Sequence, residues 1–124
     1  MEDLIIGKSN NTPSIEFLTN GELRIEGRSI PENPIEFYKD VFNWLSEYQN
    51  SHPKKTVLHV DLEYYNSSSS IVLLNILRTL EETSKMGFDV QIHWHNSFND
   101  EEMIESGRYY EMIVKLPFHY PELN

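Results

Sequence analysis

Two groups of side chains in this sequence have types and spacings that could do chemistry. One is the run Tyr64-Tyr65-Asn66-Ser67-Ser68-Ser69-Ser70; the other is the set His59, Asp61, Glu63, His93 and His95. The hydroxyl run lies between an alternating apolar–polar segment, 57–65, and a segment of helical periodicity, 71–86. Its serines therefore fall at a helix N-terminus. There a hydroxyl can accept a bond from an orphan backbone N–H, and the helix dipole favours a negative group. A serine so placed can serve as a cap or accept a phosphoryl group. One cap needs one serine, and four in a row leave hydroxyls over for the second role.

The imidazoles and carboxylates sit at period-two spacing, which puts His59, Asp61 and Glu63 on one strand face and His93 and His95 on another. If those strands are neighbours, the groups converge as metal ligands do. A solvated sheet face carries the same residues without chemistry, and a protein-binding surface uses them without a metal; no metal is expected. A serine hydrolase needs a nucleophile, a base and an oxyanion hole, and the serine run lacks the flanking glycines of a nucleophile elbow. The five glycines are scattered, and none builds a phosphate-cradling loop with a lysine. The reading is therefore of a protein that is not an enzyme and needs no cofactor.

The elements that must position the serines follow from pattern. Asn20-Gly21 marks a hairpin turn. A three-residue loop, 19–21, with Gly21 left-handed sets Phe17 opposite Leu23, Ile15 opposite Ile25 and Glu16 opposite Arg24, which keeps the apolar residues on one face. Leu4-Ile5-Ile6 reads as a short edge strand. Asn33-Pro34-Ile35-Glu36 opens a first helix that buries Tyr38, Val41, Phe42, Leu45 and Tyr48 and ends at 50–53. A strand over 56–65 buries Leu58, Val60, Leu62 and Tyr64. A second helix runs from about Ser67 to Met86, with Leu73, Ile76, Leu77 and Leu80 inward and Gly87 as its stop. A strand over 88–95 buries Val90, Ile92 and Trp94. A third helix, capped by Asn99, reaches about Glu111, with Gly107 weakening its continuity. A last strand over 113–118 has Pro117, which suits a sheet edge. Strands first and strand–helix alternation after imply an α/β fold: a mixed sheet with an N-terminal hairpin and about three helices on one face, as a single domain over 1–124.

A net charge of −10 speaks against nucleic acid and against an anionic membrane surface, and would steer a basic partner face toward the chain. With no cysteine there is no thiolate site. The start Met1-Glu2-Asp3 carries no secretory pattern and the apolar runs are short, so a soluble cytoplasmic protein is expected.

Four short motifs then carry a resemblance: Thr12-Pro13-Ser14 leading into the hairpin, Pro31-Glu32-Asn33-Pro34, Tyr65-Asn66-Ser67-Ser68-Ser69, and Ile92-His93-Trp94. In this order they resemble the SiaC-type regulatory phosphoproteins over nearly the whole chain. The resemblance implies a STAS-like fold, the anti-anti-sigma-factor architecture, and a non-catalytic switch. It implies phosphorylation at the start of the second helix by a partner kinase and reversal by a PP2C-like phosphatase. The unphosphorylated form would bind an effector such as a diguanylate cyclase that promotes biofilm formation. Carried over by position, Ser67 is the first choice of acceptor and Ser68 the second, with Tyr65, Asn66, Ser67, Ser68 and Ser69 as the partner-binding residues. The alternatives are a STAS-like binding module without phosphorylation, as anti-sigma antagonists are, and, behind it, a metal-binding protein using the histidine face.

Overall fold

In the computed structural model, which describes residues 1–123, apolar alternation and helix caps generate six strands and three helices. They run in the order β1 (Leu4–Ile6), β2 (Ser14–Phe17), β3 (Glu22–Ser29), α1 (Pro34–Asn50), β4 (Lys55–Tyr65), α2 (Ser67–Lys85), β5 (Asp89–Trp94), α3 (Glu101–Ile113) and β6 (Phe118–His119). The sheet order is the chain order, β1 to β6. β2 is antiparallel to both β1 and β3, and β3 to β6 are parallel, each parallel step crossed by a helix. One sheet face, with Ile15, Phe17, Leu23, Ile25, Leu58, Val60, Val90, Ile92 and Trp94, joins the buried faces of the helices in one apolar cluster. This is the expected mixed sheet with helices on one face.

The hairpin has the register its alternation demands: Phe17 pairs with Leu23, Glu16 with Arg24 and Ile15 with Ile25, and Gly21 is left-handed at φ 99°. In α1, Asn33 Oδ1 accepts the Glu36 N–H at 3.2 Å, with Pro34 as the first helical residue. Its inward face differs from expectation at one place. Trp44 is buried where Phe42 was expected, because Trp44 stacks on Tyr48 (centroids 4.8 Å), meets Phe17 edge-on and donates its Nε1–H to the Glu2 carbonyl. Phe42 packs half-buried against the same cluster.

Tyr64 is the larger correction. It was expected inside with Leu58, Val60 and Leu62, yet it is 52% exposed. Leu62 pairs with Gly27 but Tyr64 pairs with Arg28, so Glu63 is an extra residue opposite the Gly27–Arg28 step. Gly27 has φ 120° there. A bulge of one residue inverts the pleat beyond it, turning Tyr64 out and Tyr65 toward the core.

The third helix begins one residue later than expected. Asn99 is left-handed (φ 52°), and Asp100 is the cap, its Oδ1 accepting the Glu102 N–H at 3.0 Å. A short polar side chain tolerates the left-handed turn that feeds the helix. α3 continues through Gly107 to Ile113, so the expected strand over 113–118 shrinks to Phe118–His119 at the sheet edge, preceded by Pro117. Gly107 is a site of close approach rather than a break. A Cβ there would lie 2.6 Å from Trp94 Cδ1, an indole with no exposed surface whose Nε1–H is held by the Met103 carbonyl at 2.8 Å.

Gly107→Ala gains helix propensity but drives a methyl into that fixed ring. It is predicted to destabilise the fold by about 1–2 kcal/mol in denaturant titration, overpacking outweighing propensity.

Candidate functional site

The four serines opening α2 divide into two pairs. The cap itself is Asn66, whose Oδ1 accepts the Ser69 N–H at 3.0 Å, so no serine is needed for capping. Ser69, at the third helical position, has no exposed surface. Its hydroxyl donates to the Ser29 carbonyl at 2.8 Å. Having spent its one proton there, Ser69 Oγ accepts from Ser29 Oγ at 2.8 Å, and Ser29 Oγ in turn accepts from the Tyr38 hydroxyl at 2.6 Å. Burial pushes the Tyr38 phenol up to about 12. The Ser29 carbonyl also accepts the Asn66 N–H at 3.2 Å. Ser70 turns back, donating to the Ser67 carbonyl at 2.6 Å. Ser67 and Ser68 remain, both exposed on the first turn.

The acceptor candidates Ser67 and Ser68 thus stand on the surface, while Tyr65 and Asn66 are half-buried beside them. Ser69, expected among the partner-binding residues, is directed inward and offers a partner no side chain in this arrangement. Around the turn lie exposed apolar side chains, of which the sequence reading placed Tyr64 inside and did not single out Ile71 or Tyr109. Tyr64, Ile71 and Tyr109 are exposed by 52%, 61% and 64%. A groove of about 530 Å³ runs between α2 and α3, walled by Tyr65, Ile71 and Leu74 on one side and Glu105, Tyr109 and Tyr110 on the other. The Tyr110 hydroxyl donates to the Ser70 carbonyl at 2.8 Å, fastening α3 to the first turn of α2. Burial, then its neighbour Tyr65, push that phenol far above the ordinary range. The signal for Tyr64 was in the sequence: an isolated glycine, Gly27, within a strand pattern marks a bulge.

On the helix-free sheet face the histidines do gather. His59 pairs with His93 across β4 and β5, and His95 Nε2 lies 3.0 Å from His59 Nδ1. Among the described residues, no three His, Asp or Glu side chains are arranged to hold a metal ion. Asp61 Oδ2 accepts from Ser97 Oγ at 2.9 Å, and Asp61 and Glu63 border a cleft of about 790 Å³ with Lys8 and Arg28. Burial first, then Arg24 for His59 and the neighbouring imidazoles for His93, pull both below the ordinary imidazole value of 6.5.

Two predictions arise from this geometry. Ser69→Ala removes two buried hydrogen bonds to Ser29 and should cost about 1–3 kcal/mol, whereas Ser67→Ala and Ser68→Ala should stay within about 0.5 kcal/mol; equilibrium unfolding measures both. For the histidines, the unfolded chain binds protons more tightly than the folded one, so stability rises with pH. The His93 contribution is complete above about 6.5 and is lost as pH falls through its lower folded value. The wild type should lose more stability than His93→Gln between about pH 7 and pH 5.

A model of the SiaC family, regulatory phosphoproteins, matches residues 6–123. The chain is 30% identical over 119 residues to an uncharacterized protein of Pseudomonas aeruginosa strain UCBPP-PA14, PA14_02130, with 95% of this chain and 94% of that one covered. Its structure is similar to the crystal structure of apo-SiaC from Pseudomonas aeruginosa, with a TM-score of 0.88, 30% identity, and 97% and 98% of the two chains covered. It is similar also to a chain in the crystal structure of the diguanylate cyclase SiaD in complex with its activator SiaC from the same organism. There the TM-score is 0.89 at 29% identity, with 95% and 98% covered. On the family match across nearly its whole length, the chain belongs to the SiaC family of regulatory phosphoproteins.

Proposed function

We propose that this protein is a non-catalytic cytoplasmic switch, phosphorylated on Ser67, with Ser68 as the second choice. A partner kinase adds the group and a PP2C-like phosphatase removes it. The unphosphorylated form binds and regulates an effector of the diguanylate cyclase class, as SiaC activates SiaD. The observation that carries this reading is the division of labour along the serine run. Asn66 caps, Ser69 and Ser70 bond inward, and Ser67 and Ser68 keep their hydroxyls at the surface of a helix N-terminus.

A phosphoryl group there adds about −1.5 to −2 charges. The helix dipole and unpaired first-turn N–H groups accept such an anion, so the fold tolerates it. The surrounding surface does not. Tyr64, Ile71 and Tyr109 offer apolar contact area, and Glu63, Glu102 and Glu105 lie on the nearby clefts. A dianion in the middle of that area has no basic side chain of this chain on those clefts, and a desolvated contact centred on it becomes costly. The second reading, a binding module without phosphorylation, uses the same surface. It differs in predicting no kinase and no modified fraction.

The test combines mapping with paired variants. Phosphopeptide mapping of protein from its own host should place the modification within 67–70, and Ser67→Ala should reduce kinase-dependent incorporation while keeping effector binding. Ser67→Asp should fold like wild type, since the cap is untouched, and bind the effector at least about tenfold more weakly, a charge in a desolvated contact being worth more than 1.4 kcal/mol. A modification mapped elsewhere, or Ser67→Asp and Ser68→Asp both binding as wild type does, would overturn the switch. Ester, phosphate-ester and nucleotide substrates should give only background turnover; robust turnover lost in Ser67→Ala would make it a hydrolase.

A further inference from the structure

Four of the five histidines meet on the helix-free sheet face, away from the serine run. His59, His93 and His119 occupy facing positions on β4, β5 and β6, with successive ring centroids 5.0 and 5.1 Å apart. His95, two residues beyond His93, stacks on His59 at 5.3 Å. Through this cluster runs a line of three contacts. Glu122 Oε2 lies 2.9 Å from His95 Nδ1, His95 Nε2 lies 3.0 Å from His59 Nδ1, and His59 Nε2 lies 3.5 Å from Glu22 Oε2.

Each contact needs one hydrogen carried on nitrogen, and two neutral imidazoles carry two between them. The Glu122 carboxyl fixes where they go. Burial would raise it, but the bond from His95 and the Asn96 N–H at 2.7 Å outweigh burial and hold it below the usual range. It is therefore a carboxylate and an acceptor, so His95 Nδ1 must donate. A neutral His95 then accepts at Nε2, His59 Nδ1 must donate to it, and His59 Nε2 is left bare, facing a second carboxylate. The distances match this count: two contacts have hydrogen-bond lengths, and the third, the one without a hydrogen, is longer.

We propose that His59 Nε2 is a proton-binding site, and that a single proton taken up there closes a continuous relay, Glu22–His59–His95–Glu122. The relay ties the start of β3 to the C-terminal turn. Because Glu122 Oε1 also holds the Asn96 N–H, the closed relay reaches the loop between β5 and α3. The groups facing His59 set its working range. Glu22 on β3 favours the proton and Arg24 on the same strand opposes it; the imidazoles of His93, His95 and His119 and the Glu122 carboxylate are the other titratable groups of this face. Glu16 of β2 shares a small cleft with His59, and Asp61, next on the same strand face, is engaged by Ser97. Burial opposes the proton most, so uptake falls on the acid side of an ordinary histidine. His93, 5.0 Å from His59, resists a second charge, and the row takes one proton before it takes two.

Long-range imidazole ¹H–¹⁵N correlation on the full chain, from about pH 8 to about pH 5, tests the count directly. At the upper end His59 and His95 should both be Nδ1–H tautomers, and on acidification His59 should gain its hydrogen at Nε2. Glu22→Gln, which removes the carboxylate awaiting that proton, should lower the His59 midpoint by at least about 0.3 pH units. Glu122→Gln should release the tautomers into mixtures while circular dichroism stays unchanged. An Nε2–H tautomer of His59 in the wild type at the upper end would overturn the proposal. So would a His59 midpoint unmoved by Glu22→Gln.

Discussion

The buried contact among Tyr38, Ser29 and Ser69 is the constraint on which the rest of the arrangement depends. It joins α1, the end of β3 and the first turn of α2 at a point without solvent. Apolar packing could hold those elements together but would not fix the rotation of α2 about its axis. Hydrogen bonds of 2.6 to 2.8 Å with one donor order do fix it. With Ser69 facing inward, helical geometry places Ser67 and Ser68 on the outside. The surface hydroxyls are presented because a neighbour in the same run is not.

The opposite end of α2 is fixed by different chemistry. Glu81 is 7% exposed, and its Oε2 accepts the Lys115 N–H at 2.6 Å, a bond that leads the pull of its carboxyl below the usual range. Arg78 adds a half-exposed contact at 3.5 Å. A helix fastened at its first turn and again at its last third offers a partner a surface already in place, so little ordering is left for the moment of binding.

Much of this was legible in the sequence, and the parts that were not share a cause. Caps and alternation gave the hairpin register, the starts of α1 and α2, and the inward faces of β4 and β5, because each is decided by residues within one turn or one strand pair. Tyr64, Asn99 and the last strand were misplaced because each depends on something outside that range. Tyr64 answers to a register shift against β3, the α3 cap to a left-handed residue before it, and the presence of Gly107 within α3 to the Trp94 indole packed against it. The serine run was recognised as a site, yet its internal division was not. Which of four identical residues faces inward depends on Ser29 and Tyr38, far upstream in the chain. The family resemblance reached the same turn through Tyr65-Asn66-Ser67-Ser68-Ser69 and ranked Ser67 before Ser68, yet counted Ser69 among the partner-binding residues although the interior claims its hydroxyl.

The bulge at Glu63 separates β4 into two lengths with independent side-chain phase. Up to Leu62 alternate residues, Leu58, Val60 and Leu62, are committed to the core; beyond it the pleat is reset, and Glu63 and Tyr64 are exposed beside the first turn of α2. A strand built in this way lets its tip vary without disturbing its root. Substitutions at 63 and 64 can reshape the surface beside that turn while the packing of Leu58, Val60 and Leu62 stays as it is, so surface and fold are free to diverge at different rates along one strand.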